Sequence, residues 1–469
     1  MISSVNLSDI GRGYLLRCGS KYVDFWKNQE GKIFDVQRDS IILKEFVCFS
    51  TGKIIKKDQI DKVYQLIDLA NIEPEIGIPI GLENNVVSEI GSDKVYLSDS
   101  ELIFSKLNSH IGYVFLKKDI PDNGYEIIGS TEFYPLLVDS SVIHPKLLKY
   151  YLLHSIFRQK AVFLRSGKSQ SHPRIQKEDF FNISVPYISK EVQKKILAVI
   201  EDIEDKIKEL REKVKTLHSI IDSVLIRYNV KDFYDKKHKT DILKTNFLNA
   251  GENKFLRLGA RYHAFWEVHK GLLFDDANLK HPIYKLGDII ALHKTEILKK
   301  GHLSEEYILL DLEDLEPLTG RILNEENIVE EIGSDKVVFG DCDIVTGKLR
   351  PYLGYTIIND KDKPYIGTTE LLPFKIKKHS KVLAQYIQYL LLSQEYISKS
   401  EFLMSGKEHP RIHPSDLLNI KVPIPDIKIQ EKIVEEIKAE ESKSFEHRQE
   451  IKRLREGIDK IIYDAIAQG

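Results

Sequence analysis

The sequence contains few cysteines: Cys18, Cys48 and Cys342 are the only three among 469 residues. They are too few and too scattered for a disulfide framework or a four-ligand metal site, which favours a reducing compartment. Long apolar runs are lacking too, since none approaches the roughly 18 residues that a membrane span needs, and residues 1–17 show no signal-peptide pattern. These absences predict a cytosolic protein that does not enter a membrane.

An excess of either charge is also missing. The chain carries 69 lysines and arginines against 71 aspartates and glutamates, which gives a formal net charge of -2. Whole-chain electrostatics therefore give no argument for binding nucleic acid, and any basic surface must be local. The 42% hydrophobic content is typical of a globular protein, and about 150 residues per domain predicts roughly two to four domains.

Sequence signatures of common catalytic sites are absent. There is no GxGxxG, GxSxG or HExxH segment, and no Asn-Pro-Pro-Tyr type segment of an adenine methyltransferase. Gly167-Lys168-Ser169 is similar to the end of a phosphate-binding P-loop, but Val162 stands where that loop requires a glycine. The segment is therefore not expected to hold a nucleotide in the manner of a P-loop.

What the sequence does contain is a duplication. Ser166-Gly167-Lys168 and His172-Pro173-Arg174-Ile175 are followed by Asp179, Val185-Pro186 and Gln193, while Ser405-Gly406-Lys407 and His409-Pro410-Arg411-Ile412 are followed by Asp416, Val422-Pro423 and Gln430. Earlier anchors recur in the same order: Leu16 to Trp26 with Leu256 to Trp266, Ile90–Val95 with Ile332–Val337, Lys106-Leu107 and Gly112-Tyr113 with Lys348-Leu349 and Gly354-Tyr355, and Thr131-Glu132 with Thr369-Glu370. This agreement predicts that each half is one folding unit made by duplication.

Metal and nuclease chemistry is not expected in either half. His172 and His409 each precede a proline and have no second histidine or cysteine at ligand spacing, so a DNA contact or a structural role is favoured over metal binding. The carboxylates of Asp341, Asp343 and Glu370 could be arranged as a nuclease site. Because no lysine accompanies them in both copies, structural roles are preferred.

Each half is expected to form an α+β globule of about 180 residues. Short β-rich runs at 101–104 and 343–345 predict strands, and the runs that follow Gly112 and Gly354 predict the returning strands of hairpins. Helical periodicity extends from Leu147 to Phe163 and from Val382 to Phe402. Asp179 and Asp416 suit the N-cap of a short helix that follows.

A long amphipathic helix is predicted after each globule. Apolar residues recur every three or four positions from Val192 to Val224, and again from Ile429 to Ala465 with a polar interval at 440–449. Each apolar stripe must be buried, which predicts an antiparallel coiled coil between the two helices and an approximate two-fold relation between the globules. The expected boundaries are 1–188 and 236–425 for the globules and 189–235 and 426–469 for the helices.

This geometry suits recognition of two separated DNA half-sites. A helix of about 35 residues would hold the two globules roughly 50 Å apart, which exceeds one turn of duplex DNA. Residues 146–177 carry eight lysines and arginines and no acidic residue, although the matching stretch of the second half is mixed. Basic side chains can neutralise phosphates and polar loops can contact base edges. The candidate DNA-binding residues are Lys106, Asn108, His110, Arg165, Ser166, Gly167, Lys168, Ser169, His172, Arg174, Lys348, Arg350, Tyr352, Ser405, Gly406, Lys407, His409 and Arg411.

The order of these segments resembles the specificity subunit of type I restriction-modification systems. Shared features are a variable globule, a glycine-containing loop, an aspartate-capped short helix, Ile-x-Val-Pro and a long helix that begins with glutamine and isoleucine. The Arg-x-x-x-x-Tyr segments at Arg17 and Arg257 are similar to the start of a target-recognition domain of that family. The resemblance covers essentially the whole chain, and the basic Ser-Gly-Lys and His-Pro-Arg-Ile segments depart from it.

The resemblance implies a non-catalytic subunit. Each target-recognition domain would recognise one half of an interrupted site in double-stranded DNA, and the helices would dock two methyltransferase subunits and, through them, restriction and translocase subunits. S-adenosylmethionine, ATP and magnesium would then be bound by those partners, and this chain would hold no cofactor and no metal.

Two other classes of function remain open on the sequence. The chain could be a nuclease, or the DNA-recognising part of a related nuclease or methyltransferase defence system, which a methyl-transfer assay on the isolated chain would detect. It could also be a coiled-coil adaptor that joins two protein-binding domains. An adaptor of that kind predicts no salt-dependent affinity for DNA.

Overall fold

The computed structural model describes residues 20–36, 38–60, 62–82, 85–166, 173–231, 260–267, 269–274 and 280–468. The chain divides into two compact units. The first unit lies within Met1–Arg211 and Gln449–Gly469, and the second comprises Glu212–Arg448. The division therefore falls inside both of the segments predicted as long helices.

The first half of the chain mixes short strands with helices. Its helices are α1 (Ser20–Lys27), α2 (Pro145–Leu153), α3 (Ser155–Ala161), α4 (Lys177–Phe181), α5 (Lys190–Lys213) and α6 (Leu217–Arg227). Its strands are β1 (Ser40–Ile42), β2 (Val47–Phe49), β3 (Ile54–Ile55), β4 (Tyr64–Ile67), β5 (Ile72–Glu73), β6 (Ile78–Pro79), β7 (Val86–Val87), β8 (Lys94–Tyr96), β9 (Leu102–Ser105), β10 (Val114–Leu116), β11 (Glu126–Ser130), β12 (Phe133–Val138), β13 (Arg165–Ser166), β14 (Arg174–Ile175) and β15 (Ser184–Pro186).

The second half repeats this order. Its helices are α7 (Ala260–Glu267), α8 (Leu286–Ile289), α9 (Ala384–Leu392), α10 (Gln394–Leu403), α11 (Pro414–Asn419) and α12 (Ile427–Gln468). Its strands are β16 (Ile283–Lys285), β17 (Ile290–Leu292), β18 (Ile297–Leu298), β19 (Gly301–Leu310), β20 (Ile328–Ile332), β21 (Lys336–Val338), β22 (Ile344–Gly347), β23 (Thr356–Ile358), β24 (Tyr365–Thr368), β25 (Leu371–Ile376), β26 (Met404–Ser405), β27 (Arg411–Ile412) and β28 (Lys421–Pro423).

The two larger sheets match strand for strand between the two units. The first unit has a four-stranded sheet in the order β10-β9-β12-β2 and a five-stranded sheet in the order β3-β8-β11-β4-β7. The second has the corresponding orders β23-β22-β25-β17 and β18-β21-β24-β19-β20. Pairing is antiparallel except for β4 with β11 and β19 with β24. The α+β prediction and the hairpins β9–β10 and β22–β23 are thereby confirmed.

Burial explains why the apolar runs form strands. All four residues of β9 and all four of β22 are buried, as expected for central strands covered on both faces. In the first unit Val95, Ile103 and Phe115 belong to one apolar cluster. The matching cluster of the second unit contains Val337, Val345 and Ile357. The duplication therefore extends to the cores.

The identical segments 90–95 and 332–337 support these sheets through ion pairs made by buried lysines. Lys94 lies 3.2 Å from a carboxylate oxygen of Asp68, and Lys336 lies 2.7 Å from one of Asp311. Both lysines are less than a tenth exposed. A buried ammonium group is tolerated only with such a partner, which accounts for the lysine at the same place in both copies.

Each predicted helix before the basic loop is in fact two helices. α2 ends before His154 and α3 begins after it, while α9 and α10 are separated by Ser393. The side chain of His154 accepts a hydrogen bond from the backbone of Ile156 at 3.1 Å, and Ser393 does the same for Tyr396 at 3.3 Å. The prediction of single helices over 147–163 and 382–402 is wrong, because apolar periodicity does not reveal a side chain that caps a new helix.

The predicted N-cap role of Asp179 and Asp416 is also wrong. The residues that precede α4 and α11 are Gln176 and His413, so both aspartates lie inside the first helical turn. Asp179 accepts a hydrogen bond from the Tyr22 hydroxyl at 2.8 Å. Asp416 accepts the equivalent bond from Tyr262 at 3.1 Å. In each unit this tyrosine–aspartate hydrogen bond joins two helices, α1 to α4 in the first and α7 to α11 in the second.

The first long helix is interrupted. α5 ends at Lys213 and α6 begins at Leu217, where Thr216 is the N-cap. The backbone N–H of Lys215 donates to the Ser444 hydroxyl at 2.9 Å, and that hydroxyl donates to the Lys215 carbonyl at 2.8 Å. One serine thus satisfies two backbone groups at the break, which corrects the prediction of one continuous helix from Ser189 to Val224.

Among the described residues, none of the helices combines the length and the apolar character that a membrane-spanning segment requires.

Candidate nucleic-acid interface

Three loops of the first unit meet at one end of its four-stranded sheet. They are the loop after β9, the turn before β12 and the hairpin β13–β14. The N–H of Lys106 donates to the carbonyl of Glu132 at 3.0 Å, and the Lys106 carbonyl accepts from Ile175 at 3.0 Å. The N–H of Asn108 donates to the Pro173 carbonyl at 3.0 Å. Backbone bonds therefore join segments that are far apart in sequence.

The second unit builds the same arrangement. Lys348 donates to the carbonyl of Glu370 at 2.9 Å and accepts from Ile412 at 2.9 Å, while Arg350 donates to the Pro410 carbonyl at 2.8 Å. Both sets of loops will be called the loop cluster of their unit. The loop clusters comprise residues 106–112, 131–132, 165–166 and 173–175 in the first unit and residues 348–354, 369–370 and 404–412 in the second.

A paired ion bridge closes each loop cluster. Arg174 donates from Nε to Oε2 of Glu132 at 2.8 Å and from Nη2 to Oε1 at 2.7 Å. Arg411 makes the same two bonds to Glu370, both at 2.9 Å. Two parallel bonds to one carboxylate fix a guanidinium in position and orientation. The arginines of both His-Pro-Arg-Ile segments therefore hold the hairpin on the turn.

The bridge in the second unit makes stability depend on pH. Hydrogen bonds from Arg411 hold the pKa of Glu370 below its ordinary value of 4.5, against the opposing effect of burial. A lowered folded-state pKa contributes stability above pH 4.5 that is lost as the pH falls through the folded value. The Arg411 side chain is 43% exposed, so the contribution is about 1 kcal/mol or less.

We therefore expect Glu370→Gln to lower the free energy of unfolding by up to about 1 kcal/mol at pH 7, and this effect should shrink as the pH falls below 4.5. Urea unfolding at several pH values measures this difference. Glu401→Gln is the matched control, because Glu401 is an exposed carboxylate of α10 in the same unit. If the difference in free energy of unfolding between wild type and Glu370→Gln stays constant from pH 7 to pH 3, the pKa of Glu370 is not lowered by Arg411.

Left-handed backbone shapes the loop after the central strand in both units. Asn108 has a φ of 50° and Arg350 a φ of 46°, and each precedes a short turn of helix at Ser109–Ile111 or Pro351–Leu353. Such values are uncommon for residues other than glycine. The loops therefore present different side chains, Asn108 and Arg350, from the same backbone position.

The remaining predicted side chains lie around this position. Lys106 Nζ is 5.6 Å from the ring centroid of Tyr134. His110 Nδ1 lies 3.5 Å from Arg165 Nη1, and burial together with Arg165 lowers the pKa of His110. His110 is therefore neutral near pH 7 and can accept a hydrogen bond.

In the second unit Lys348 and Tyr352 are half-buried, and Ser405, Gly406, Lys407 and His409 are exposed at the hairpin tip. Gly406 has a φ of 104°, which favours glycine there. In the first unit Gly167, Lys168, Ser169 and His172 lie outside the described residues, and only the strand position of Ser166, opposite Arg174, is described.

The basic stretch 146–177 does not form one continuous basic surface. Lys146 and Lys149 are less than a tenth exposed and bond to carboxylates, including Asp119 at 3.1 Å from Lys149. Arg158 is paired with Glu75 at 2.6 Å. Sequence clustering of charge does not show which side chains find partners across the fold, so this part of the charge argument is wrong.

Glu132 and Glu370 are the residues of the loop clusters that sequence reasoning missed. On the sequence alone, Glu370 is expected to have a structural role and Glu132 is only an anchor of the repeat. The signal was available, because each recurs together with the arginine that it bonds, in the same order in both halves. Within the described residues no group of three or more histidine, cysteine or acidic side chains is arranged to hold a metal ion.

Comparison with known proteins agrees with this duplicated architecture. A family model described as the type I restriction modification DNA specificity domain matches the chain twice, at residues 39–217 and 278–454. The specificity subunit of the type I restriction enzyme MjaVIII of Methanocaldococcus jannaschii is 24% identical over 383 residues, covering 79% of this chain and 78% of that protein.

The solved structures that match the chain include two specificity subunits. The HsdS subunit from Thermoanaerobacter tengcongensis is 13% identical, with 91% of this chain and 96% of that chain covered and a TM-score of 0.33. The type I restriction-modification S subunit from M. genitalium is 13% identical, with 92% and 96% covered and a TM-score of 0.41. Because the family model matches most of both halves, this chain belongs to the type I restriction-modification DNA specificity family and carries two copies of its domain.

Proposed function

We propose that this non-catalytic specificity subunit recognises an interrupted DNA site, with each unit contacting one half of it. The observation that carries the proposal is the loop cluster, which is built twice on the same backbone frame with different side chains, Asn108 and Arg350, at the same left-handed position. A repeated frame with variable side chains is suited to two half-sites of different sequence. Its lysines and arginines would contact phosphates and its polar loop residues would contact base edges.

In this proposal the ion bridges and the hairpin tips have different roles. Arg174 and Arg411 are held by carboxylates, so they would order the hairpins and leave the exposed tips to contact DNA. In the second unit the tip carries Lys407 and His409. The hairpin is therefore positioned before DNA arrives, which lowers the entropy lost on binding.

Pairing of helices inside each unit supports an antiparallel spacer. In the second unit Lys215 bonds to Ser444 while Arg227 pairs with Glu436 at 2.8 Å, so one helix runs against the other. In the first unit Lys206 lies 3.8 Å from Glu450. We infer that α12, with 42 residues and a length of about 63 Å, would set the separation of the two half-sites.

The partners follow from the same proposal. Double-stranded DNA would be bound by the two domains, and two methyltransferase subunits would dock on the helices, with restriction and translocase subunits joining through them. S-adenosylmethionine, ATP and magnesium would be held by those subunits, and the complex would act in the cytoplasm.

Domain exchange tests the proposal most directly. Replacing residues 1–188 by the first half of another family member should change one half of the recognised sequence and leave the other half unchanged. Methylome sequencing of cells that also carry the methyltransferase measures the outcome. The unaltered second half serves as an internal control, and a change in both halves would refute independent recognition. Absence of salt-dependent DNA binding by the full chain would instead support the adaptor alternative.

A further inference from the structure

The second unit contains a cleft of about 400 Å³ that is separate from the residues of its loop cluster. It is bounded by α7, by the paired strands β16 and β28 and by α11, and its lining includes Tyr262, Trp266, Lys270, Lys285 and Lys421. Asp416 also lines it, and this carboxylate accepts the hydrogen bond from Tyr262. Three lysines therefore line one concave surface together with one carboxylate that already has a hydrogen-bond donor.

Two of these lysines are placed against each other. Lys285 and Lys421 are direct partners in the antiparallel pairing of β16 with β28. Like charges at directly opposed positions destabilise a sheet. Among the described residues no carboxylate lies within ion-pairing distance of Lys270, Lys285 or Lys421. An anion bound in the cleft would relieve this repulsion.

The first unit supplies a built-in comparison. Ile42 and Ser184 form the matching strand pair of β1 with β15, and Glu30 occupies the place of Lys270. The frame is otherwise repeated, because Tyr22 bonds to Asp179 as Tyr262 bonds to Asp416. The formal charge of the three substituted positions thus changes from −1 with one glutamate to +3 with three lysines. The shared fold does not need these lysines, which points to a ligand in the second unit.

We propose that this cleft binds a phosphate group, supplied by the backbone of DNA that the second unit recognises; this source rests on the proposed function. Lysine ammonium groups are point charges suited to phosphate oxygens. α11 begins two residues after β27 and ends at Asn419, which also lines the cleft. Its six residues span about 9 Å, so a strand contacting the hairpin can reach the cleft.

The first experiment measures the salt dependence of binding between the full chain and a random-sequence duplex of about 30 base pairs. The variant Lys285→Ile with Lys421→Ser introduces the residues of the first unit at both positions. If both lysines contact phosphate, the slope of log affinity against log salt should become shallower by about 1.8. The matched control is Lys294→Ser with Lys378→Ser, which removes two exposed lysines of the same unit outside the cleft and the loop cluster. The slope measured for this control should differ less from the wild-type slope than the slope of the cleft variant does.

The second experiment tests the cleft without DNA. Thermal unfolding of the full chain is compared in inorganic phosphate and in chloride at equal ionic strength. Phosphate should raise the unfolding temperature of wild type more than that of the cleft variant. In chloride the variant should be at least as stable as wild type, because a repulsive pair has been removed, and this also shows that it folds.

The two experiments separate the sources of phosphate. A changed salt slope supports a DNA backbone phosphate, while selective stabilisation by phosphate with an unchanged slope supports a free phosphate-bearing molecule. Equal behaviour of wild type and cleft variant in both experiments overturns the proposal. If wild type binds no duplex at all, the proposed function fails, and the phosphate experiment still decides whether the cleft binds this group.

Discussion

Replacement of Gln430 by leucine is expected to destabilise the second unit by about 2 kcal/mol, because three backbone groups lose their partner and one of them, the Pro425 carbonyl, is buried. Gln430 is fully buried in the first turn of α12. Its Nε2 donates to the carbonyls of Lys381 at 3.1 Å and Pro425 at 2.8 Å, and its Oε1 accepts from the N–H of Leu383 at 3.0 Å. Leucine fills a similar volume but bonds to none of these groups.

The expected loss is local, because the bonds of Gln430 join the start of α12 to the residues before α9. Hydrogen–deuterium exchange of the full chain should show faster exchange in α9 and α10 of the variant, with β9 and β12 of the first unit unchanged. Gln394→Leu is the matched control, since Gln394 is an exposed glutamine of the same unit. Equal exchange in wild type and Gln430→Leu would show that these bonds contribute little.

The same arrangement recurs in the first unit and gives Gln430 a functional meaning. Gln193 donates to the carbonyls of Val142 and Ile188, both at 2.9 Å, and accepts from the N–H of His144 at 2.9 Å. Each long helix is thus joined to its own globule by one glutamine. If the helices act as the proposed spacer, these glutamines fix the direction in which each helix leaves its globule.

Matched insertions in the two long helices should lengthen the gap between the recognised half-sequences. Four residues add about one helical turn and 6 Å of rise. Because one base pair occupies about 3.4 Å, insertions near Leu210 and near Phe445 together should increase the preferred gap by about two base pairs. Both half-sequences should stay the same, since neither loop cluster is altered. Methylome sequencing of cells with the variant and its methyltransferase measures the gap.

A single insertion is the control for this experiment. Four residues near Leu210 alone should shift the apolar seam of α5 against its partner and reduce modification, because only one side of the pair has moved. The matched insertion should restore modification. A gap that stays fixed in the doubly inserted variant would show that partner subunits, and not these helices, determine the spacing.

The sequence by itself determined the duplication and the α+β character of each half. The recurring anchors correspond to the same structural places: segments 90–95 and 332–337 to ion-paired strands, and Lys106 and Lys348 to the loops after the central strands. These features are readable because they depend on local pattern and on order along the chain. The family resemblance built on them is confirmed by the family match.

The tertiary structure alone decided which charged side chains are available at the surface. Lys149 and Arg174 stand in one basic stretch of sequence, yet Lys149 is buried against Asp119 and Arg174 is bonded to Glu132. Their partners lie 30 and 42 residues away in the chain. No local pattern contains such distances, because ion pairing depends on which loops the sheet brings together.

Tertiary contacts also decided where helices stop and where new sites form. The break at residues 214–216 is stabilised by Ser444, which is 229 residues away. The lysine pair of the cleft exists because β16 and β28 place Lys285 opposite Lys421. Sequence specified the side chains, and strand register, which is set by packing of the whole unit, made them neighbours.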